Sequence, residues 1–344
     1  MKQRQGVVIC GAYGMDNAGD DAVLAAIVAA LRQLDRDMPI TVMTRKPAKI
    51  ARKYGVAAIG RLDVPKWLRA MRKAKLFISG GGSLLQDVTS RRSLWYYLLT
   101  LRAAKTMGCN LQMYGSGVGP IRHEKARRRT AAYLNRYVDV LTLRDQDSLQ
   151  TLQAWGVTQP RLLLAADPAL GLPAGSGERE RKAGFVLRAW PGFWVHVPDF
   201  AQAARYAWER YRLAPVFICL APGDRQAVRS VCAELGDVPF TVATDARRVG
   251  RMGLVLSMRL HGLAFALRDG APAAGVSYDP KVDAFCREAG LPCLALEDVT
   301  GDGLCRLIDA AAHLDSETLS AAARTLRERE RVNITVAAEL LSEE

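Results

Sequence analysis

The sequence predicts an α/β protein made of two doubly wound parallel sheets that face a cleft. Its 344 residues exceed the length at which one hydrophobic core stops growing, so two domains of about 150 residues are expected. Apolar segments of strand length alternate with amphipathic segments of helix length, which is typical of parallel sheets with helical crossovers. This alternation lapses once, at 168–181, where Gly, Pro and charged residues accumulate.

The first domain is predicted to span residues 1–170. Short apolar runs predict its strands, and apolar residues at helical spacing predict its helices. The strands are Val7–Cys10, Ile40–Met43, Leu76–Ser79, Asn110–Tyr114 and Val140–Leu143. The helices are Asp20–Leu34, Pro65–Ala74, Ser93–Met107 and Lys125–Val138.

The second domain is predicted to span residues 171–315 and begins in a linker. The linker contains Gly171, Pro173, Gly175, Ser176 and Gly177. The predicted strands are Phe185–Arg188, Val216–Leu220, Val238–Val242, Leu254–Ser257 and Ala273–Ser277, and the predicted helices are Asp199–Arg212, Gln226–Leu235, Leu263–Leu267 and Lys281–Ala289. Residues 316–344 form a final helical segment that packs back. Both domains are therefore predicted to be Rossmann-like.

The composition indicates an ordinary globular protein with an unusual charge. The seven cysteines are dispersed and lack a Cys-x-x-Cys pair, so they are expected to be reduced core residues. Neither a signal peptide nor a run of about 20 apolar residues is recognisable, which predicts a cytoplasmic protein. The net charge of +13 is compatible with nucleic acid, an anionic membrane surface or phosphorylated substrates as partners.

The basic residues concentrate in the N-terminal half, at 45–75 and at 125–129. In the predicted helix Pro65–Ala74, the apolar residues Trp67, Leu68 and Met71 alternate with cations. This pattern fits an interfacial helix at a membrane surface, and it fits equally well a helix that packs those residues inward. No helix-turn-helix, RRM or zinc-finger pattern is present, so nucleic acid is not an expected partner.

Three glycine-rich segments follow predicted strands. Gly11–Asp20 opens the first helix, where backbone N–H groups can receive an anion, although its glycines do not form a GxGxxG fingerprint. Within it, Asp16 and Asn17 are candidates for holding sugar hydroxyls. The alternative is a tight turn with Asp20 as the helix cap.

The second segment, Ser79–Asp87, contains Gly80, Gly81, Gly82, Ser83 and Asp87, which we predict to bind substrate because glycines let a ligand approach the backbone. It lacks the Gly-Lys-Ser/Thr of a Walker A motif, which disfavours nucleotide triphosphate hydrolysis. Tyr114–Pro120 is the third glycine-rich segment and follows the next predicted strand. The three turns are predicted to outline one rim at the ends of the strands.

Cationic side chains follow strands in both halves. Arg259 and His261 lie in Ser257–Gly262, Lys281 follows twenty residues after His261, and Arg144 begins Arg144–Ser148. Ligands bind at strand ends of open α/β sheets, so these groups could converge on one anion across the cleft. The alternatives are a structural His, solvated cations and a surface pair of Arg144 with Asp145.

Taken in order, these motifs resemble those of the polysaccharide pyruvyl transferase family, and more narrowly its CsaB type. The resemblance includes Ala166–Ala169 and Gly275–Lys281 and extends over residues 6–310. It implies a GT-B-like fold with the active site between the two domains. It also implies that Arg144, Arg259, His261 and Lys281 match the positions that bind phosphoenolpyruvate.

The resemblance implies transfer of the enolpyruvyl group of phosphoenolpyruvate to two hydroxyls of a hexose, as a cyclic ketal, with release of phosphate. For CsaB-like members it implies an N-acetylmannosamine acceptor in a disaccharide on undecaprenyl diphosphate, in a polymer that anchors surface-layer proteins. Phosphoenolpyruvate is then a substrate, and neither a cofactor nor a metal is expected.

The chemistry makes compatible demands on these residues. Near pH 7 the donor carries about three negative charges, which Arg and Lys can neutralise. His261 is the candidate general acid toward the methylene carbon, or alternatively a hydrogen-bond partner of the phosphate. Asp16 or Asp87 could deprotonate the attacking hydroxyl. A glycosyltransferase that uses a sugar nucleotide, with His261 and Lys281 holding a diphosphate, is the second hypothesis, and a non-catalytic binder of polyanions is the third.

Overall fold

Parallel β-sheets form the centres of two separate units. The computed structural model describes residues 4–88, 90–175 and 177–343, so Ser176 of the predicted linker lies outside the described residues. Unit 1 comprises residues 1–172 together with 327–344, and unit 2 comprises residues 173–326. The chain therefore passes from unit 1 to unit 2 within the glycine- and proline-rich segment.

Unit 1 contains a seven-stranded sheet in the order β3-β2-β1-β4-β5-β6-β7, and every neighbouring pair is parallel. Its strands are β1 Val7–Cys10, β2 Ile40–Thr44, β3 Ala57–Gly60, β4 Leu76–Leu85, β5 Asn110–Val118, β6 Val140–Leu143 and β7 Arg161–Leu164. Its helices are α1 Ala18–Leu34, α2 Pro47–Tyr54, α3 Val64–Lys73, α4 Arg91–Thr106, α5 Glu124–Tyr137 and α6 Gln146–Ala154. The direction of winding reverses between β1 and β4.

Unit 2 contains a six-stranded parallel sheet in the order β10-β9-β8-β11-β12-β13. Its strands are β8 Glu180–Val186, β9 Ala214–Ile218, β10 Thr241–Ala243, β11 Met252–Ser257, β12 Ala273–Ser277 and β13 Cys293–Ala295. The helices are α7 Val197–Tyr211, α8 Asp224–Ala233, α9 Leu260–Arg268, α10 Pro280–Ala289 and α11 Gly301–Ala312, together with the part of α12 Ser316–Ser342 that precedes residue 327. The prediction of two doubly wound parallel sheets is confirmed.

Helices cover both faces of the unit 1 sheet, which explains the uninterrupted apolar runs. Successive residues of β1 point to opposite faces. Ile9 packs in a cluster with Leu24 of α1, whereas Val8 packs in a second cluster with Leu98 of α4. Because both faces are covered, every residue of β1 is buried.

The sequence prediction was incomplete at the edge strands, and it also missed helices α2, α6 and α11. β3, β7 and β13 were not predicted, and β10 was placed three residues too early. These strands lie at or near sheet edges, and most of their residues are half-buried or exposed. A strand with one open edge needs no continuous apolar run, so its sequence signal is weak.

Helix α3 packs its apolar residues inward. Trp67 is 8% exposed and Met71 is fully buried, and both belong to the core between the sheet and α4. The inward-packing alternative for this helix is therefore confirmed, and its cations remain on the outer surface. No helix in the described part of the chain is long and apolar enough to cross a membrane.

The C-terminal part of α12 belongs to unit 1. Val336 and Leu340 are buried in the α1 core, and Asn333 donates from its side chain to the carbonyl of Ala166 at 3.1 Å. Next to it, Glu330 is 7% exposed. Burial raises the pKa of Glu330 from 4.5 to about 7, and the charge of Asp167 adds to the effect.

The raised pKa of Glu330 predicts a pH-dependent stability. Because the folded state holds this proton more tightly than the unfolded state, its contribution is complete below about pH 4.5 and is lost as the pH rises through 7. Gln does not titrate, so the free energy of unfolding of Glu330→Gln, relative to that of the wild type, should increase by on the order of 2 kcal/mol from about pH 5 to about pH 8. Urea unfolding at the two pH values measures this, and Glu328→Gln, at an exposed position of the same helix, should show no such gain.

Candidate functional site

In unit 2 a crevice is expected at the carboxyl ends of β8 and β11. These strands are neighbours in the sheet, but the chain leaves them toward opposite sides, to β9 and to β12. Such a switch point is where open α/β sheets bind ligands. Arg188 follows β8 and Arg259 follows β11, so two guanidinium groups are placed at this point.

Arg259 precedes α9 in an extended conformation and is fixed on both sides. The Ser257 hydroxyl accepts from its backbone N–H at 3.0 Å and donates to its carbonyl at 2.8 Å. Its guanidinium Nη2 contacts the fully buried carboxylate of Asp224, which also accepts two backbone N–H groups after β9. Within the described residues its Nε is buried and has no hydrogen-bond partner, which leaves a donor for an anionic ligand.

Lys281 and His261 lie in the first turns of neighbouring helices. Asp279 caps α10 by accepting from the Lys281 backbone N–H at 3.2 Å, and its other oxygen holds the Lys281 ammonium at 2.8 Å. His261 is the second residue of α9, and its ring lies 6.2 Å from that of Phe265. Because β11 and β12 are paired, both helices start at the same edge of the sheet.

Arg188 completes this edge and was not predicted as a site residue. It donates to the hydroxyl of Tyr278, and its guanidinium lies 4.8 Å from the Tyr278 ring and 5.1 Å from the Trp190 ring. The sequence analysis treated Arg188 as the end of a strand. Only the pairing of β8 with β11 shows that it reaches the switch point.

Tyr278 connects these cations. Burial raises its pKa, while the positive charges of Arg188 and Arg259 oppose the rise, so both guanidinium groups act on one phenol. The ammonium of Lys281 lies 5.6 Å from the same ring. Arg259 and Lys281 each have a carboxylate partner, whereas Arg188 has no ion pair within the described ranges. The Arg188 guanidinium is therefore a positive charge at this edge that an anionic ligand can neutralise.

In unit 1, Arg144 is buried rather than solvated. Its guanidinium donates to Asp145 at 3.3 Å, to Asp167 at 3.4 Å and to the Ser83 hydroxyl at 2.9 Å. The alternative of a pair with Asp145 that starts a helix is therefore confirmed, but the pair is buried rather than at the surface, since Arg144 is only 6% exposed. Asp145 also caps α6 by accepting from Ser148 N–H at 2.7 Å, which fixes the start of that helix together with Arg144.

Gly117 on β5 makes room for Arg144. A Cβ atom at this position would lie 2.6 Å from Nη2 and 2.7 Å from Nε of Arg144. The glycine of the predicted third turn is therefore part of a strand, and its function is to let a guanidinium cross the sheet edge. Arg144 belongs to unit 1, and its convergence with Arg259, His261 and Lys281 stays a prediction.

Asp16 and Asn17 both take part in local structure at the start of α1. Asp16 adopts a left-handed conformation and is held by Lys46 at 2.6 Å and Lys49 at 2.8 Å. These two ammonium groups lower the pKa of Asp16 to about 2. Asn17, not Asp20, caps α1, since its side chain accepts from Gly19 N–H at 3.1 Å. Their predicted contacts with sugar hydroxyls stay predictions.

Gly80, Gly81 and Gly82 lie within a strand, which corrects the predicted turn. β4 continues through all three glycines to Leu85, with a register irregularity against β5 after Gly82. A Cβ on Gly81 would lie 1.9 Å from a methyl group of Val23 in α1, and one on Gly80 would lie 2.6 Å from the Tyr13 hydroxyl. These two glycines therefore allow α1 to pack closely on the sheet.

Gly82, Ser83 and Asp87 lie farther along this strand and its loop. A Cβ on Gly82 would find only the Asp20 carboxylate near it, at 3.8 Å. Ser83 accepts from Arg144, and the Asp87 carboxylate accepts from the backbone N–H of Arg122 at 3.0 and 3.1 Å. Asp87 thereby joins the loops that follow β4 and β5.

Comparison with known proteins gives a family and a fold. A family model described as polysaccharide pyruvyl transferase matches residues 17–280. Amylovoran biosynthesis protein AmsJ of Erwinia amylovora is 21% identical in an alignment 366 residues long, and this alignment covers 84% of this chain and 87% of that protein.

Solved structures resemble the whole chain. A putative UDP-N-acetylglucosamine 2-epimerase from Listeria monocytogenes has a TM-score of 0.67 and 12% identity, and the match covers 99% of this chain and 98% of that one. Anabaena HepE, solved with UDP and glucose, has a TM-score of 0.66 and 11% identity over 98% and 100% of the two chains. At such identities the likeness shows the fold alone, and the predicted GT-B-like fold class is confirmed.

The contact between Gly117 and Arg144 gives a testable prediction. Gly117→Ala should displace the buried guanidinium and destabilise the protein by about 1–3 kcal/mol, the usual result of overpacking. Urea unfolding measures the change. Gly60→Ala is the matched control in the same unit, because a Cβ there meets only an atom at 3.8 Å. Equal stability of the two variants would show that Arg144 does not need this space.

Proposed function

Since the family match covers residues 17–280, the chain belongs to the polysaccharide pyruvyl transferase family, and we propose that it uses phosphoenolpyruvate to form a cyclic ketal on a hexose. The observation that carries this proposal is the cationic edge of unit 2. Arg188 and Lys281 lie beside the Tyr278 ring, and Arg259 follows β11 at the switch point of the sheet. A small donor that carries a carboxylate and a phosphate fits this group, because the two guanidinium groups can each form paired hydrogen bonds with an anion and the ammonium group adds a third positive charge.

The reaction balances with these residues in defined roles. A proton is added to the methylene carbon of the donor, a sugar hydroxyl oxygen bonds to C2, and the C2–O bond to phosphate breaks with both electrons leaving on the phosphate. The second hydroxyl then bonds to C2. Of the two hydroxyl protons, one is balanced by the new methyl group and one by inorganic phosphate. Charge that develops at the leaving phosphate is stabilised by fixed cations.

His261 is the residue we assign to proton transfer. It is half-buried at the start of α9, two residues after Arg259, and an imidazole can exchange a proton near neutral pH. A hydrogen bond from His261 to the phosphate is the alternative role. In the first case its loss slows the chemical step, and in the second it weakens donor binding.

The acceptor is proposed to be a sugar of a polysaccharide precursor. The relative AmsJ is named for the biosynthesis of a polysaccharide, which supports this class. We propose N-acetylmannosamine, joined through a disaccharide to undecaprenyl diphosphate, with the ketal on O4 and O6. Asp16, Asn17 and Asp87 of unit 1 are the proposed contacts of its hydroxyl groups. Of the two carboxylates Asp87 is the proposed base, because the ammonium groups that lower the pKa of Asp16 make it a weaker proton acceptor.

Product formation tests the proposal. The full-length protein is incubated with phosphoenolpyruvate and the lipid-linked disaccharide, and phosphate release and the product mass are measured. Phosphate release together with the added pyruvyl mass is the expected result. A nucleotide sugar that raises the melting temperature, when phosphoenolpyruvate does not, would instead favour a glycosyltransferase.

Replacement of His261 separates its two possible roles. We expect His261→Asn to lower kcat by about 10²–10⁴-fold, the usual contribution of a general acid, with a smaller change in the Kd of phosphoenolpyruvate. Single-turnover kinetics and calorimetric titration measure the two effects. A weaker Kd with an unchanged rate at saturation would assign His261 to phosphate binding.

Arg188 should contribute to donor binding although the sequence did not identify it. We expect Arg188→Gln to raise the Kd of phosphoenolpyruvate about tenfold or more, since a hydrogen bond to a charged group is worth about 1.5–3 kcal/mol. Arg210→Gln, at an exposed position of α7, is the control. If both variants bind the donor like the wild type, Arg188 is outside the donor site.

A further inference from the structure

The positive charge of the chain is concentrated on three adjacent helices of unit 1. α3, α4 and α5 hold four, four and five Lys and Arg residues, and the only acid in them is Glu124. These helices alone therefore account for nearly all of the net charge of +13. α4 contacts both α3 and α5, and all three pack on one core, so they form a single layer on one side of the sheet.

Nearly all of these cations point outward. We call this layer the basic face. Its exposed cations are Lys66, Arg69, Arg72, Lys73, Arg91, Arg92, Arg102, Lys125, Arg127, Arg128, Arg129 and Arg136. Lys66 and Arg128 pair with Asp63 and Glu124, so the neighbouring acids neutralise little of the charge.

The position of the cations does not favour helix stability. Arg91 and Arg92 begin α4, which has no acid in its first turn, whereas Lys66 in the first turn of α3 is paired with the N-cap residue Asp63. The partial positive charge of a helix N-terminus disfavours cations there. Charges placed against this preference are better explained by an external anion than by the fold.

Apolar side chains are exposed among these charges. Leu62 and Val64 at the start of α3 are 81% and 44% exposed, and Leu99 in the middle of α4 is 50% exposed. Trp95 is half-buried between α4 and α5, with the Arg129 guanidinium 5.7 Å from its ring. Aliphatic groups gain nothing from a phosphate backbone of nucleic acid, but they are stabilised at the boundary between lipid headgroups and acyl chains.

We propose that the basic face docks the protein on an anionic lipid bilayer. Electrostatic attraction of the cations to acidic headgroups supplies the longer-range interaction, and Leu62, Val64 and Leu99 enter the interface. α3, α4 and α5 all begin at the carboxyl edge of the unit 1 sheet, where Ser83 and Asp87 lie. In the docked protein the face of the sheet that these helices cover is turned toward the membrane, and Ser83 and Asp87 lie at its carboxyl edge. The docking itself does not depend on pyruvyl transfer.

Vesicle binding by the full-length protein tests this docking. The probes are phosphatidylcholine vesicles with and without about one third phosphatidylglycerol, at low and high salt, and sedimentation gives the partition coefficient. We expect binding only to the acidic vesicles, with a marked decrease at high salt because the charges are screened. Absence of binding to acidic vesicles at low salt would overturn the proposal.

Two variants with the same net charge separate the basic face from charge in general. The first replaces Lys66, Arg69, Arg72 and Lys73 of α3 by Gln, and the second replaces the exposed Arg181, Arg210, Arg229 and Arg306 of unit 2 by Gln. Each cation near an acidic bilayer contributes roughly a fivefold factor. The first variant should lose at least about tenfold in partition coefficient and the second should stay near wild type. Equal losses would overturn the proposal.

The apolar contribution is tested by Leu62→Ser together with Leu99→Ser. Both side chains are exposed, so this variant should fold like the wild type while it binds acidic vesicles several-fold more weakly, with an unchanged salt dependence. A competition with single-stranded RNA completes the experiment. If equimolar RNA displaces the protein from the vesicles, the partner of the basic face is nucleic acid and the proposal is overturned. If the protein stays on the vesicles, the result supports the bilayer as the partner.

Discussion

Burial of guanidinium groups against carboxylates is the constraint on which the candidate site depends. A buried charge is tolerated only when it is paired and hydrogen-bonded, and the pairing adds little net stability. Arg144 meets this condition with Asp145 and Asp167, and Arg259 meets it with Asp224. Because removal of either partner leaves an isolated buried charge, such pairs keep each guanidinium in one orientation.

The need to hold these guanidinium groups also explains residues within the strands. Gly117 lacks a side chain so that Arg144 can lie against β5, and Ser257 uses its hydroxyl to fix the backbone on both sides of Arg259. Rigid placement of this kind matters for an enzyme, because a positioned cation costs no reorganisation when charge develops on the substrate. The parallel sheets supply the placement, since every strand ends at the same edge.

The sequence predicted the architecture better than it predicted the site. The central strands are buried on both faces and therefore have continuous apolar runs, whereas half-exposed edge strands such as β3 were missed. The place of Arg259, His261 and Lys281 at one sheet edge could be predicted because each follows an apolar strand closely. The place of Arg188 at this edge could not, since it depends on the pairing of β8 with β11, which are far apart in sequence. The turn predicted at the glycines of β4 was wrong, because a close approach of helix to sheet and a ligand loop favour the same residue type.

The partners of Arg144 come from widely separated parts of unit 1. Ser83 lies near the end of β4, Asp145 starts α6, and Asp167 follows β7 at the far side of the sheet. Asn333 and Arg329 of α12 in turn hold the carbonyls of Ala166 and Ala165, directly before Asp167. In the proposed site, where Arg144 binds the donor, substitutions in the C-terminal helix would alter turnover without contacting any substrate. A saturation mutagenesis screen would then score positions of α12 as functional although they act only through the placement of Arg144.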